Sequence, residues 1–334
     1  MKRRVGLKDI AARSGYSVTT ISKALKDSPD ISAVTKEKIK LLADEMRYIP
    51  NTVASSLRSG KTKTIAIILG DISNPFFAIM VKELDNELVK HQFNSIIFNT
   101  NEKYELEKKA VYIALSKHVD GIILFPTQVD HGDIDIIRRS GIPFVLVGRY
   151  FDSVDTDFVI VDDLNGAYLA TSYLLKKNHR DILFLNGPLF VSCARDRKIG
   201  YEKALREYNV PLKEELVKET SITTGKSKEI IHRMLKESIN FSAIFAFSDF
   251  IAWEAICVLH SMNLRVPEDV AVVGYDNIQS KYYVPYPLTT IHYSKRELAK
   301  KTVQVLMKRI NKKDKSSGFY HYVLNTSLVV RGSA

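Results

Sequence analysis

The sequence predicts two architectures in one chain: an all-α unit at the N-terminus, followed by a larger α/β core in two lobes. Apolar residues recur at helical spacing through roughly the first 50 residues. Nine apolar runs of strand length then alternate with helical segments through residues 65–334. The charge changes at the same place, because residues 1–64 carry +8 of the formal net charge of +11.

Length and composition limit the classes of protein to consider. The 334 residues leave room for about two domains, and 45% hydrophobic with 26% charged residues is typical of a globular protein. No apolar run is long enough for a transmembrane helix, and no apolar segment follows the basic first residues as in a secretory signal. Cys193 and Cys257 suggest neither a metal site nor a disulfide framework. We therefore expect a cytoplasmic protein without metal or cofactor.

The concentrated positive charge favours DNA as a partner of residues 1–64. Lysine and arginine side chains release condensed counterions when they neutralise DNA phosphates, so a dense basic segment binds DNA well. A solvated basic tail is the alternative interpretation. Such a tail would lack the apolar periodicity that this segment has.

The first 25 residues predict a helix-turn-helix. Leu7–Ser14 places its apolar residues on one helical face, and Gly15 follows where a helix end favours a residue that tolerates positive φ. Ser17 is a good N-cap for a second helix from Val18 to about Leu25. In this motif the N-terminal residues of the second helix enter the major groove. The predicted DNA contacts are Ser17, Val18, Thr19, Ser22 and Lys23.

A third helix and a linker complete this part of the chain. The helix is capped by Ser32 or Thr35 and ends before Pro50. Its apolar residues close a small core: Ile39, Leu42, Ala43 and Met46. The next 14 residues are small, polar and weakly helical. The predicted domains are thus a DNA-binding domain over 1–50, a linker over 51–64 and an α/β core over 65–334.

Near-continuous apolar strands that alternate with helices predict parallel sheets covered on both faces. The core is too long for one ordinary sheet, so we expect two lobes. The first comprises 65–161 with 295–320, and the second comprises 162–289 with 321–334. The predicted strands are Ile65–Leu69, Ser95–Asn99, Gly121–Phe125, Pro143–Val147, Phe158–Val161, Ile182–Asn186, Ala243–Phe247, Val270–Gly274 and Leu288–His292.

Ligands of open α/β folds bind at the carboxyl ends of the strands, here in a cleft between lobes. The polar residues that follow the predicted strands are Asp71, Arg149, Asp162, Asp163, Ser248, Asp249 and Asp276. Structural alternatives stay open for several of them. Asp163 and Asp249 precede helices and could be N-caps. Arg149 could pair on the surface with Asp152 or Asp155, and Arg197 lies in a charged string that could be solvated.

The order and spacing of several motifs resemble the LacI family of bacterial transcriptional repressors along essentially the whole chain. The motifs are Leu7-Lys-Asp-Ile-Ala, Gly15–Leu25, Tyr48-Ile-Pro-Asn51, Ala54-Ser-Ser-Leu57-Arg58, Asn74-Pro-Phe-Phe77, Asp120-Gly-Ile-Ile123, Arg197–Tyr201, Val266–Asp276 and Pro287-Leu-Thr-Thr290.

The resemblance implies a type I periplasmic-binding-protein fold for the core and a hinge helix in the linker. In the family, the residues that match Ala54 and Leu57 enter the minor groove, where an apolar wedge kinks the DNA. The matched hinge contacts are Asn51, Ala54, Leu57 and Arg58. The matched ligand contacts are Asp71, Phe77, Arg197, Ser248 and Asp276, with Asp163 as a further candidate.

The function implied is that of a repressor. A homodimer binds a pseudo-palindromic operator, and a small molecule in the cleft, most often a sugar in the family, controls it. Gly148, Asp163 and Ser248 depart from the residues common in the family, which changes the charge of the cleft. An acidic ligand therefore stays open, because Arg197 could bind a carboxylate or phosphate.

Several alternatives remain at this point. A regulator of this family could need a corepressor or could activate. A sugar transport protein or a sugar-active enzyme could share the α/β core, although no P-loop, dinucleotide-binding glycine motif or nucleophile elbow is present in the sequence. The C-terminus has no heptad repeat, which favours a dimer over a tetramer.

Overall fold

The computed structural model describes residues 5–50, 60–221, 225–278, 287–311 and 318–334. The chain divides into two compact units, Met1–Thr62 and Lys63–Ala334. Among the described residues, no helix is both long and apolar enough to cross a membrane.

The N-terminal unit is a three-helix structure. Its helices are α1 (Leu7–Ser14), α2 (Val18–Leu25) and α3 (Ala33–Glu45). The sequence places the boundaries through local hydrogen bonding: Gly15 ends α1 at φ 74°, and the side chains of Ser17 and Ser32 cap α2 and α3. The buried residues form one small core: Ile10, Ile21, Ala24, Ile39 and Ala43. This core explains how so short a segment folds, because each helix buries only its apolar stripe.

The second unit contains two six-stranded sheets with the same pattern of strand order. The strands are β1 (Thr64–Leu69), β2 (Asn94–Asn99), β3 (Gly121–Leu124), β4 (Phe144–Val147), β5 (Phe158–Val161), β6 (Ile182–Asn186), β7 (Val217–Glu219), β8 (Ala243–Ala246), β9 (Ala271–Tyr275), β10 (Thr289–His292), β11 (His321–Leu324) and β12 (Ser327–Val329). The first sheet runs β11-β5-β4-β3-β1-β2 and the second runs β12-β10-β9-β8-β6-β7. The pairings are parallel except that of β10 with β12.

Helices cover both faces of each sheet, and the inner strands are buried as predicted for parallel sheets. The helices are α4 (Pro75–Lys90), α5 (Tyr104–Ser116), α6 (Gly132–Ser140), α7 (Asp163–Lys176), α8 (Ser192–Glu207), α9 (Lys226–Lys236), α10 (Asp249–Ser261) and α11 (Lys295–Ile310). A single turn of 3₁₀ helix, Glu214–Leu216, precedes β7. The predicted fold class, a helical headpiece followed by a two-lobed α/β core, is confirmed.

The predicted lobe boundary near the C-terminus is wrong. The prediction assigns residues 321–334 to the second lobe, but β11 pairs in parallel with β5 of the first sheet. Only β12 joins the second sheet, where it pairs with β10. The chain therefore crosses between the lobes three times: after β5, between β10 and α11, and between β11 and β12. α11 packs on α4 and on β3, β4 and β5 in the first lobe.

Candidate functional site

The N-terminal half of α2 presents an exposed polar edge. Ser17 and Thr19 are exposed, Val18 is 40% exposed, and Ser22 is half-buried. Ser17 Oγ accepts a hydrogen bond from the Thr20 N–H at 3.0 Å. The structure thus places the predicted contact residues together on the face of α2 opposite its buried residues.

Lys23, on the next turn of α2, makes an ion pair at the surface. Its Nζ lies 2.6 Å from Asp30 Oδ2, and both side chains are about half exposed. This hydrogen bond and a second one from Ser28 lower the pKa of the Asp30 carboxyl. Exposed ion pairs contribute little to stability, so Lys23 can exchange Asp30 for a DNA phosphate at little cost. The predicted hinge contacts Asn51, Ala54, Leu57 and Arg58 lie outside the described residues.

The cleft between the lobes of the second unit encloses a small cavity. Its volume is about 70 Å³, which corresponds to roughly five waters. It lies at the carboxyl ends of strands from both sheets, as the topology predicts. The lining residues are Asn74, Phe76, Phe77, Phe125, Val147, Gly148, Arg149, Val161, Asp163, Cys193, Arg197, Phe247, Ser248, Asp276, Tyr293 and Leu298.

Arg197 lies at the centre of the polar wall of this cavity. Its Nε is 2.8 Å from Asp163 Oδ1, and only 5% of Arg197 is exposed. The guanidinium also donates to the Phe247 carbonyl oxygen, and its carbon lies 3.5 Å from the centre of the Tyr275 ring. The alternative that Arg197 is solvated on the surface is therefore wrong. A buried, stacked arginine with an anionic partner is a strong binding group for polar ligand oxygens.

Asp163 is the first residue of α7 and serves the cleft. The N-cap alternative is wrong, because the neighbouring Asp162 caps the helix by accepting from the Asn165 N–H at 2.9 Å. Burial raises the pKa of Asp163 to about 6, and the positive charge of Arg197 opposes that rise. Asp163 is thus ionised at neutral pH and neutralises the arginine beside it.

Two glycines allow this pair to form. A Cβ on Gly200, in α8, would lie 2.1 Å from the Leu164 carbonyl oxygen in α7. A Cβ on Gly166 would lie 2.2 Å from the hydroxyl oxygen of Tyr275. The missing side chain of Gly200 thus lets α8 approach α7 closely enough for Arg197 to meet Asp163, and that of Gly166 leaves room for the Tyr275 ring on which Arg197 stacks.

Asp276 and Ser248 line the same cavity from the second lobe. Asp276 Oδ1 accepts from the Tyr293 hydroxyl at 2.8 Å. Burial raises the pKa of Asp276, and the charge of Arg197 opposes that rise. Ser248 caps α10 by accepting from the Ile251 N–H at 3.3 Å, so the N-cap alternative for Asp249 is wrong.

Asp249 is fully buried behind this wall and does not line the cavity. Its carboxylate accepts from the Thr290 hydroxyl at 2.5 Å and from the Ile278 N–H at 2.8 Å. Burial, with a further contribution from the nearby Asp276, raises the pKa of Asp249 to about 8. The residue holds the loop after β9 in place, which positions Asp276.

The first lobe supplies an aromatic wall. Phe77 is buried and packs edge-to-face on Phe125, with ring centres 5.5 Å apart. Phe76 is half-buried and also lines the cavity. Flat apolar rings of this kind suit the apolar face of a sugar or another ring.

Asp71 is the one predicted ligand residue that does not line the cavity. Its Oδ1 accepts from the Ser73 N–H at 2.9 Å and from the Ser73 hydroxyl at 2.8 Å. Its carboxylate therefore closes a turn. Asn74, three residues later, caps α4 and reaches the cavity instead.

Arg149 and Cys193 also line the cavity, although the sequence pattern left a surface ion pair open for Arg149 and gave no signal for Cys193. Arg149 does not pair with Asp152 or Asp155: its guanidinium makes two hydrogen bonds to Glu102, at 2.9 and 3.0 Å, and one to the Pro126 carbonyl oxygen. Cys193 is buried in the wall, and burial raises the pKa of its thiol to about 11. The position of Arg149 after a predicted strand had already singled it out, but a helical cysteine carries no such signal.

The comparisons with known proteins cover both units. Residues 6–51 match "bacterial regulatory proteins, lacI family", and residues 62–319 match "periplasmic binding proteins and sugar binding domain of LacI family". The HTH-type transcriptional repressor PurR of Photobacterium profundum is 30% identical over 328 residues, 98% of each chain.

Two solved structures extend this result. The Lac repressor dimer bound to operator and the anti-inducer ONPF has a TM-score of 0.85 and 26% identity, with 99% of each chain covered. A LacI family regulator from Enterococcus faecium with bound ribose has a TM-score of 0.72 and 26% identity, covering 81% of this chain and 98% of that one. With both units matched in order along nearly the full length, the chain belongs to the LacI family of bacterial regulatory proteins.

Proposed function

We propose that this protein is a cytoplasmic transcriptional repressor that binds operator DNA as a homodimer and is controlled by a small molecule in the interlobe cleft. The observation that carries the proposal is the buried group of Arg197, Asp163 and Asp276 in a cavity between the lobes. Its relatives are transcriptional repressors, so we infer binding without catalytic turnover.

The DNA-binding part of the proposal rests on α2. Val18 and Thr19 are exposed and carry methyl groups, which suit contact with the methyl group of thymine. Lys23 can leave Asp30 for a phosphate or a guanine acceptor. The structurally similar Lac repressor binds its operator as a dimer. A dimer of this chain would place one α2 on each half-site of a pseudo-palindrome.

We propose a sugar of monosaccharide size as the effector. The cavity joins carboxylates and an arginine, which bind hydroxyl groups, to an aromatic wall. Its volume of about 70 Å³ favours a compact ligand over a disaccharide. The structurally similar regulator from Enterococcus faecium binds ribose.

Control follows from the position of the cavity. A ligand that contacts Arg197 and the aromatic wall at once binds better when the lobes are closed than when they are open. It therefore shifts the population of lobe arrangements. If only one arrangement lets the dimer bind DNA, the coupling changes operator affinity by the usual range of about 5- to 150-fold.

The experiment is a thermal-shift screen of the full-length protein against monosaccharides, disaccharides, sugar phosphates and purine bases. A ligand at 100 times its Kd stabilises the native state by about 2.7 kcal/mol. We expect a monosaccharide to raise the Tm of the wild type and not that of Arg197→Ala. Arg195→Ala is the matched control, because Arg195 is a half-buried arginine on the same helix that does not line the cavity.

The sign of control is measured next. The ligand found is added to the protein with DNA selected from a random pool, and fluorescence anisotropy reports the affinity. Weaker DNA binding identifies an inducer, and tighter binding identifies a corepressor. An unchanged response of Arg197→Ala to the ligand would contradict the proposed site. Failure to select any DNA would contradict the repressor proposal.

A further inference from the structure

Gln128 and Ser192 connect the two lobes through hydrogen bonds. Gln128 lies in the loop after β3 in the first lobe, and Ser192 is the first residue of α8 in the second. Gln128 Oε1 accepts from the Ser192 N–H at 2.9 Å and from the Ser192 hydroxyl at 3.2 Å. Gln128 is 7% exposed and Ser192 is fully buried.

The helix α8 has no side-chain cap of its own. Its N-cap residue, Val191, offers no side-chain acceptor, although the first N–H groups of a helix need one. Among the other described helices, six are capped by the side chain of their own N-cap residue: Ser17, Asn74, Asp162, Ser32, Ser248 and Ser294. Gln128 supplies the missing acceptor to α8 from the opposite lobe.

The surrounding hydrogen bonds fix Gln128 for this role. Its Nε2 donates to the Tyr150 carbonyl oxygen at 2.6 Å, and the Tyr150 N–H donates to Ser192 Oγ at 3.1 Å. The preceding residue, Thr127, donates its N–H and its hydroxyl to the Glu107 carboxylate, both at 2.8 Å. Gln128 itself has φ 65°, a left-handed conformation that a non-glycine residue adopts only when its surroundings hold it.

We propose that Gln128 is the N-cap of α8 across the cleft, so that helix capping is completed only when the lobes are closed. Opening the cleft removes the acceptor from the buried Ser192 N–H. Gln128 is thus a positioning residue for the response to effector. This role deepens the proposed function, on which it rests, because it concerns the same cleft.

The cap stabilises the helix that carries the proposed ligand-binding residue Arg197. Arg197 lies five residues after Ser192 on α8, and the glycine contact at Gly200 fixes that helix on α7. The capped end and the ligand-binding arginine therefore belong to one rigid element. A ligand that needs closed lobes gains from the cap, since the cap already favours that arrangement.

The test is hydrogen exchange of the full-length protein without any ligand, so it does not depend on the effector. Gln128→Met keeps the volume of the side chain and removes its acceptor. We expect the Ser192 amide to exchange about tenfold faster, the effect of losing one buried hydrogen bond. Amides later in α8, around Leu205, should not change. Ser192→Ala removes only the hydroxyl group. The N–H of residue 192 still donates to Gln128 Oε1, so this amide should stay protected from exchange.

Two further variants make the result decisive. Gln128→Asn keeps the amide, but its side chain is one methylene too short to reach the Ser192 N–H. It should therefore speed exchange at Ser192 as Gln128→Met does, and it replaces Gln128→Met in the test if the methionine variant folds poorly. Ser32→Ala removes an ordinary cap within the headpiece and should speed exchange only at the start of α3. Unchanged exchange at Ser192 in both Gln128 variants would overturn the proposal, whatever the effector screen gives.

A distance measurement tests the coupling to lobe closure. Spin labels go on the exposed native Cys257 in the second lobe and on Arg139→Cys in the first, with labelled chains diluted in unlabelled protein. We expect Gln128→Met to broaden the distance distribution toward longer values and Ser32→Ala to leave it unchanged. Distributions that coincide for the wild type and Gln128→Met would show that the cap does not hold the lobes.

Discussion

Glu107 of α5 and Asp133 of α6 are two buried carboxyl groups that face each other in the first lobe. Both are almost completely buried. Burial, together with the neighbouring Asp133 charge, raises the pKa of Glu107 to about 8, and burial raises that of Asp133 to about 6. The pair therefore retains one proton at neutral pH, and Glu107 carries it. Glu107 accepts two hydrogen bonds from Thr127, and Thr127 directly precedes Gln128. The protonated pair therefore adjoins the residue that caps α8.

The pair makes stability depend on pH. A carboxyl whose pKa is raised by folding binds protons more tightly in the native state, so the native state loses stability as pH rises from the unfolded pKa to the folded one. For Glu107 this window runs from about 4.5 to about 8. Other groups that face the pair are Tyr104, Asp130 and Arg149.

Glu107→Gln should remove the Glu107 part of this dependence. We expect the variant to gain at least about 1 kcal/mol relative to the wild type between pH 5 and pH 8.5, because it has no carboxyl to ionise. Urea unfolding at both pH values measures the difference. The raised pKa of Asp249 gives a pH dependence of the same sign. Because Asp249 is present in both proteins, its contribution cancels in the difference between wild type and variant. A constant difference between wild type and variant across this range would contradict the raised pKa.

The close approach of α7 and α8 predicts a large effect of one methyl group. Gly200→Ala should destabilise the second unit by about 2–3 kcal/mol, because the new Cβ meets a backbone oxygen rather than a flexible side chain. It should also abolish the response to effector by moving Arg197 from Asp163. Gly318→Ala, where the Cβ meets open space, is the control for both unfolding and ligand titration.

Lys23 and Asp30 give opposite predictions for DNA binding. Lys23→Gln should weaken binding to selected DNA and reduce the slope of log affinity against log salt by about 1, the contribution of one phosphate contact. Asp30→Asn should not weaken binding, because it frees Lys23 from its surface partner. Anisotropy titrations at several salt concentrations measure both. Equal salt slopes for Lys23→Gln and the wild type would exclude a phosphate contact.

Arg149 should not tolerate lysine. Its guanidinium makes a two-bond contact with Glu102 in a buried setting, and a lysine ammonium cannot reproduce that planar geometry. We expect Arg149→Lys to cost about 2 kcal/mol in the free energy of unfolding. Arg195→Lys is the matched control, because Arg195 pairs with Asp152 at the surface, where both side chains are partly exposed, and the substitution should cost much less.

The sequence was informative where one local rule decides the structure. Apolar runs identified nine strands, but β7, β11 and β12 are short and partly exposed, so they carry no apolar run. The lobe that takes β11 is decided by pairing with β5, a contact across more than 150 residues.

The same distinction holds for the cleft. Strand ends pointed to Ser248 and Asp276, which follow the neighbouring strands β8 and β9 of the second sheet, and to Asp163, which follows β5 of the first sheet and lines the same cavity. Asp71 also follows a strand, but a local turn uses its carboxylate. Capping across the cleft, as at Gln128, depends on how two lobes meet and has no pattern in either segment.

The path of the C-terminus has a genetic consequence. His321–Leu324 and Ser327–Val329 each supply one edge strand, the first of sheet one and the second of sheet two, and Ser333 bonds to Val272 and Thr289 in the second sheet. A nonsense mutation that removes only the last 14 residues therefore damages both lobes at once. Such an allele should behave as a null through loss of protein in the cell, and a selection for variants with an altered response to the effector should return missense changes in the cleft instead.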